Sequence, residues 1–116
     1  MEVMMMICKP YDVVEVPFPF IDSPKAKSRK ALVISREAFN KNNNATVLAM
    51  ITSASNSKWF KDVPVTDLKK AGLKKPCFIR FKLFTIQNDL IKNKVGSLST
   101  LDKKEVGDKL SQTLHI

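Results

Sequence analysis

A chain of 116 residues is sized for one domain, and with 44% apolar residues it can bury an ordinary core without disulfide staples. Twenty Lys and Arg against eleven Asp and Glu leave a formal charge of +9, which favours an anionic partner such as RNA, DNA, an anionic membrane surface or an acidic protein. No run approaches the ~20 apolar residues of a spanning helix, and Cys8 and Cys77 lack neighbouring Cys or His at metal-ligand spacing, so they read as reduced thiols of a cytoplasmic protein.

The start, MEVMMMIC, carries Glu2 where an export signal has basic residues, and residues 1–8 read as an N-terminal extension of a single domain spanning 1–116. From Tyr11 to Phe20, YDVVEVPFPF places Val14 and Val16 about Glu15 and predicts a strand. Pro17 and Pro19 cannot donate to a ladder, so the strand should end there or lie on an edge. IDSPKAKSRK (21–30) follows as a polar surface loop with Lys25, Lys27, Arg29 and Lys30 in six positions and no acid among them. ALVIS (31–35) is the second strand, REAFNKNNN (36–44) a helical turn running into a loop, and ATVLAMITSA (45–54) the third strand.

Further on, KDVPVT (61–66) is a short edge strand because of Pro64. TDLKKAG (66–72) predicts a one- or two-turn helix with Thr66 as N-cap, Asp67 near the positive end of the dipole and Gly72 at the stop. Lys69, Lys70, Lys74 and Lys75 are expected to cover that exposed helix and its exit. CFIRFKLFTI (77–86) is a strand with an apolar and a mixed face, the mixed one bearing Arg80 and Lys82, and residues 95–98 form a last short strand. STLDKKEVGDKLSQTL (99–114) opens with Ser99 and Asp102 in capping-box spacing and repeats Val106, Leu110 and Leu114 along one face, a terminal helix weakened by about 1 kcal/mol at Gly107. Short strands, polar loops and a closing helix together predict a mainly β fold, a small closed or half-open β-barrel.

Chemistry is narrowed by the residues on offer. The only histidine, His115, is penultimate, where chain ends are loosely held, which excludes a paired-histidine ribonuclease mechanism. The sequence has no closely spaced carboxylate set, Cys/His cluster or Gly-rich phosphate loop. What is left for catalysis is Arg, Lys, Ser, Thr or Asp, with no cofactor or metal.

Two stretches, YDVVEVPFPFIDSPKAKSRKALVIS and VLAMITSA, resemble the paired signature of PemK/MazF-type toxins, the small endoribonucleases called mRNA interferases in bacterial toxin and antitoxin pairs. The resemblance continues through CFIRFKLFTI and KVGSLS. It implies an SH3-like barrel with a C-terminal helix, a homodimer, metal-independent cleavage of single-stranded RNA, and an acidic antitoxin that occupies the RNA surface. It also implies that Arg29, near the start of the second strand, and Thr52, at the end of the third, are the catalytic pair. Two positions depart from the family pattern: Lys30 stands where Pro is common, and Tyr11 where Gly is common.

The residue types suit that reaction. When a ribose 2′-hydroxyl attacks the adjacent phosphorus, negative charge grows on the non-bridging oxygens, and a guanidinium fork can hold two of them. Arginine stays protonated at neutral pH, so Arg29 is assigned electrostatic stabilisation and Thr52 the orientation of the reacting groups, leaving a 2′,3′-cyclic phosphate and a 5′-hydroxyl. Lys25, Lys27 and Lys30 are expected to track phosphates, Phe20 and Trp59 to stack on bases, and Ser28 and Ser53 to add hydrogen bonds. Two alternatives stay open: a toxin of the same fold that inhibits DNA gyrase, and a non-catalytic barrel that binds nucleic acid.

Overall fold

The computed structural model describes residues 6–19, 24–53 and 58–115. It has six strands: β1 (Asp12–Phe18), β2 (Lys27–Val33), β3 (Ala45–Thr52), β4 (Val63–Pro64), β5 (Phe78–Gln87) and β6 (Asn93–Ser97). They make one antiparallel sheet in the order β4-β5-β3-β2-β1-β6, curled into a half-barrel. Helices α1 (Glu37–Asn43), α2 (Leu68–Ala71) and α3 (Thr100–Thr113) fill the connections and close the chain, the mainly β architecture expected from the sequence. Among the described residues no helix is long and apolar enough to cross a membrane.

Because strand side chains alternate, each face of the sheet carries its own core. Val13, Leu32, Ala49, Ile51 and Ile79 point to one side, where Ala71 of α2 and Val106 of α3 cover them. Val14, Val16, Ala31, Val33, Leu48 and Ile86 point to the other, with Cys8 and Ile91. Cys8 is thus buried, and burial, with the charge of Asp12, pushes its thiol up to about 11 even though Lys94 pulls it down.

Several boundaries differ from the sequence reading. β2 begins at Lys27, four residues before the expected Ala31, because the β1 ladder continues through the pairs Val16–Arg29 and Phe18–Lys27. β1 is an interior strand despite its prolines: β6 reaches only to Glu15, so Pro17 needs no donor on that side. β6 starts at Asn93, ahead of the expected Val95. The N-cap of α2 is Asp67, which accepts from the Lys70 N–H at 3.0 Å, while the hydroxyl and N–H of Thr66 donate to buried Asp102. α3 starts as expected, Ser99 Oγ accepting from the Asp102 N–H, but of its apolar repeat only Val106 is fully buried, and Leu114 is exposed.

Candidate functional site

β2 and β3 are paired only through Ala31–Met50, Leu32–Ala49 and Val33–Leu48. Beyond Ala31 and Met50 they part, yet neither strand ends: β2 runs on to Lys27 against β1, and β3 runs on to Thr52 against β5. Had the register continued, Arg29 would face Thr52 and Ser28 would face Ser53. Instead these residues look across a cavity of about 480 Å³, whose walls include Ser28, Arg29, Lys30, Met50, Thr52 and Ser53. Arg29 lies on the face of Ala31, and Thr52 on the face of Leu48. The cavity is therefore the place where the second core opens to solvent, floored by Val16, Phe18 and Phe84.

Its electrostatics are one-signed. Arg29, Lys30 and Lys75 line it, and among the described lining residues there is no carboxylate. The Arg29 guanidinium lies 5.7 Å from the centroid of the Phe18 ring, which gives an exposed side chain an apolar backstop. Lys30 is partly balanced by Glu15, its cross-strand neighbour, with 3.9 Å between Nζ and Oε2. Lys92, just before β6, does not line the cavity, but its Nζ donates to Ser28 Oγ of the wall at 3.3 Å. Burial pushes the thiol of Cys77, also in the wall, above its ordinary pKa although Lys75 and Lys30 pull it down, so it contributes an uncharged wall and no thiolate nucleophile. Cations over apolar walls concentrate an anionic ligand such as a phosphodiester.

Of the residues singled out from sequence, Arg29, Thr52, Ser28, Lys30 and Ser53 meet in this one cavity. Lys25 and Lys27 are exposed and do not line it, Lys27 being paired opposite Phe18. Phe20 lies outside the described residues. Trp59 is not in the wall; it stands beyond β5, near Arg80 and Lys82. Lys75, exposed beyond the exit of α2 as the sequence suggests, is also a wall residue, brought there because the α2–β5 connection returns alongside the end of β3. Phe18, Met50 and Phe84 were missed as well. Phe18 shares a strand face with Val16, but only the register reveals that this face meets Arg29.

The profile of the family described as PemK-like, MazF-like toxin of type II toxin-antitoxin system matches residues 9–114. No curated protein sequence matches the chain. Similar folds include an endoribonuclease in complex with its cognate antitoxin from a Mycobacterial species, at 12% identity, TM-score 0.72 and 97% coverage of both chains. MazE-MazF from Deinococcus radiodurans is 15% identical with TM-score 0.72, over 96% of this chain and 98% of that one. The Mycobacterium tuberculosis toxin MazF-mt6 is 17% identical with TM-score 0.68, over 87% and 93%.

Proposed function

Because the chain belongs to the PemK-like, MazF-like toxins of type II toxin-antitoxin systems, we propose that it is an endoribonuclease toxin that cleaves single-stranded mRNA in the cytoplasm. It acts as a homodimer, as the family resemblance implies, and is silenced when an acidic cognate antitoxin covers the cationic cleft. The observation that carries this reading is the parting of β2 and β3, which leaves Arg29 and Thr52 on facing strands around one positively charged cavity.

The ribose 2′-hydroxyl of the bound strand attacks the adjacent phosphorus. One P–O bond forms to the 2′ oxygen and the P–O5′ bond breaks; the 2′ proton passes to water, and the leaving 5′ oxygen takes one up. Arg29 holds the non-bridging oxygens as their charge grows and can pass a proton to the 5′ oxygen, regaining one from water at once. Thr52 donates to a phosphate oxygen or accepts from the attacking hydroxyl, fixing the line of attack. Lys30, Lys75 and Lys92 hold flanking phosphates, with Lys25 and Lys27 along the entry.

Purified protein incubated with long single-stranded RNA in excess EDTA should yield discrete fragments ending in 2′,3′-cyclic phosphate and 5′-hydroxyl. A single 2′-deoxynucleotide at the mapped cut should abolish that cut alone. Cleavage that persists through the deoxy substitution would remove 2′-hydroxyl attack, and intact RNA under all conditions would remove the nuclease reading.

A further inference from the structure

The turn from Trp59 to Asp62 is held more firmly than a connection between strands requires. Its ends are tied twice, Asp62 N–H donating to the Trp59 carbonyl at 3.2 Å and Trp59 N–H donating to Asp62 Oδ2 at 3.0 Å. Arg80 grips the same carboxylate with a two-pronged ion pair, Nε to Oδ1 at 3.2 Å and Nη2 to Oδ2 at 2.9 Å, and is itself only 8% exposed. Lys61 stands in the left-handed region at φ 70°, an unfavourable conformation for a side-chain-bearing residue. Its Nζ donates to Gln112 Oε1 of α3 at 2.6 Å, a further tie between the turn and that helix.

What all this holds in place is an indole that stays 46% exposed. The Arg80 guanidinium lies 5.7 Å from the ring centroid, and the exposed Lys82 ammonium 6.0 Å. The position is telling. Arg80 is paired with Met50, the last residue of β3 still joined to β2 and a wall of the cleft. The backbone of Arg80 thus stands about one strand spacing, roughly 5 Å, to the side of β3, and the indole lies beyond it, against the Arg80 guanidinium on the flank of the cleft.

We propose that Trp59 is a nucleobase subsite flanking the cleft, and that Arg80, acting through Asp62, is the positioning residue that presents its ring. This rests on the reading of the cleft as an RNA site. A base flanking the phosphate at Arg29, on the β5 side of the cleft, stacks on the indole, and Lys82 leaves the ring for the adjoining phosphate. Stacking tolerates all four bases because each has a π-face, so the subsite adds affinity at a fixed distance from the cut more than it adds sequence choice.

Trp59 is the only tryptophan in the chain, so its emission reports the subsite directly. The full chain is titrated with uncleavable 2′-O-methyl RNA decamers labelled for anisotropy, and the tightest one is then rebuilt with an abasic sugar at each position in turn. Emission should be quenched as the intact decamer binds, and one abasic position should restore it and weaken binding roughly 5- to 100-fold. Trp59→Leu, which leaves the Asp62–Arg80 pair untouched, should bind every decamer as wild type binds that abasic one. Arg80→Gln should raise KM for cleavage with kcat kept, and lose the distinction between intact and abasic strands. Saturating anisotropy with unchanged emission, or equal losses at every abasic position, overturns the subsite. Because the decamers cannot be cut, this outcome is separate from failure of the nuclease reading, which would leave quenching intact and RNA uncleaved.

Discussion

Arg29 and Thr52 owe their meeting to two short facts of sequence: Arg29 is two residues before Ala31, and Thr52 two after Met50, the last ladder pair. Their types were legible as phosphate chemistry, but the gap between them was not, since nothing in KSRKALV says that β2 abandons β3 while keeping β1. Arg29→Lys keeps the charge and loses the fork, so single-turnover cleavage is predicted to fall by roughly 10²-fold with RNA affinity little changed; an undiminished rate would show that a point charge suffices. The departure at Tyr11 also resolves at this scale. It adopts φ 74°, so the conformation for which glycine is suited is kept by an aromatic residue, its N–H donating to Val33 and its carbonyl accepting from Leu98. Asp62 carries a pH signature. Burial raises its pKa, but the Arg80 hydrogen bonds, the Trp59 N–H and the Arg80 charge together hold it below the usual 3.8. The turn's stabilisation is therefore complete above the ordinary carboxylate pKa and lost as pH falls through the lowered one. Trp59 emission should hold steady from neutrality to about pH 4 and change below it, and in Arg80→Gln that change should move to higher pH; a midpoint unmoved in the variant would contradict the coupling.

Among the elements, α3 shows why a local rule was only half right. Gly107 reads as a weak point in a helix, and it is one, yet a Cβ built there would come 3.1 Å from the Tyr11 hydroxyl, so the glycine makes room for the ring beneath it. Gly107→Ala should leave stability almost unchanged in the natural chain. In a Tyr11→Phe background the same substitution should stabilise by about 1 kcal/mol, the helix propensity no longer offset by the contact. Urea unfolding of the four proteins tests this, and equal gains in both backgrounds would show that the contact is slack. The caps tell a similar story. Ser99 was legible because a capping box is local, whereas Thr66 was misassigned because its partner, Asp102, lies 36 residues away on another helix. Interior placement of β1 was hidden for the same reason: the prolines speak for one strand, and the shortness of β6 decides whether they matter.

For the molecule as a whole, the excess of Lys and Arg was plain from composition, and the sheet topology sets part of it, Arg29, Lys30 and Lys75, around one opening. Lys75 was illegible because its role depends on where the α2–β5 connection returns. Binding of uncleavable RNA should weaken log-linearly with salt, and Lys75→Ala should lower the slope by about 0.7; a slope unchanged in Lys75→Ala would remove that lysine from the phosphate path. The central claim is that Arg29 and Thr52 act on the same phosphodiester from facing strands. It is tested most directly by single-turnover cleavage of one RNA in EDTA by the natural chain, Arg29→Ala, Thr52→Val and the double variant. Removing a hydrogen bond to a charged oxygen should cost Thr52→Val roughly 10- to 100-fold, Arg29→Ala should lose more, and the double variant should lose clearly less than the product of the two. Cleavage by Arg29→Ala at the natural rate, or losses that multiply in full, would contradict a shared site.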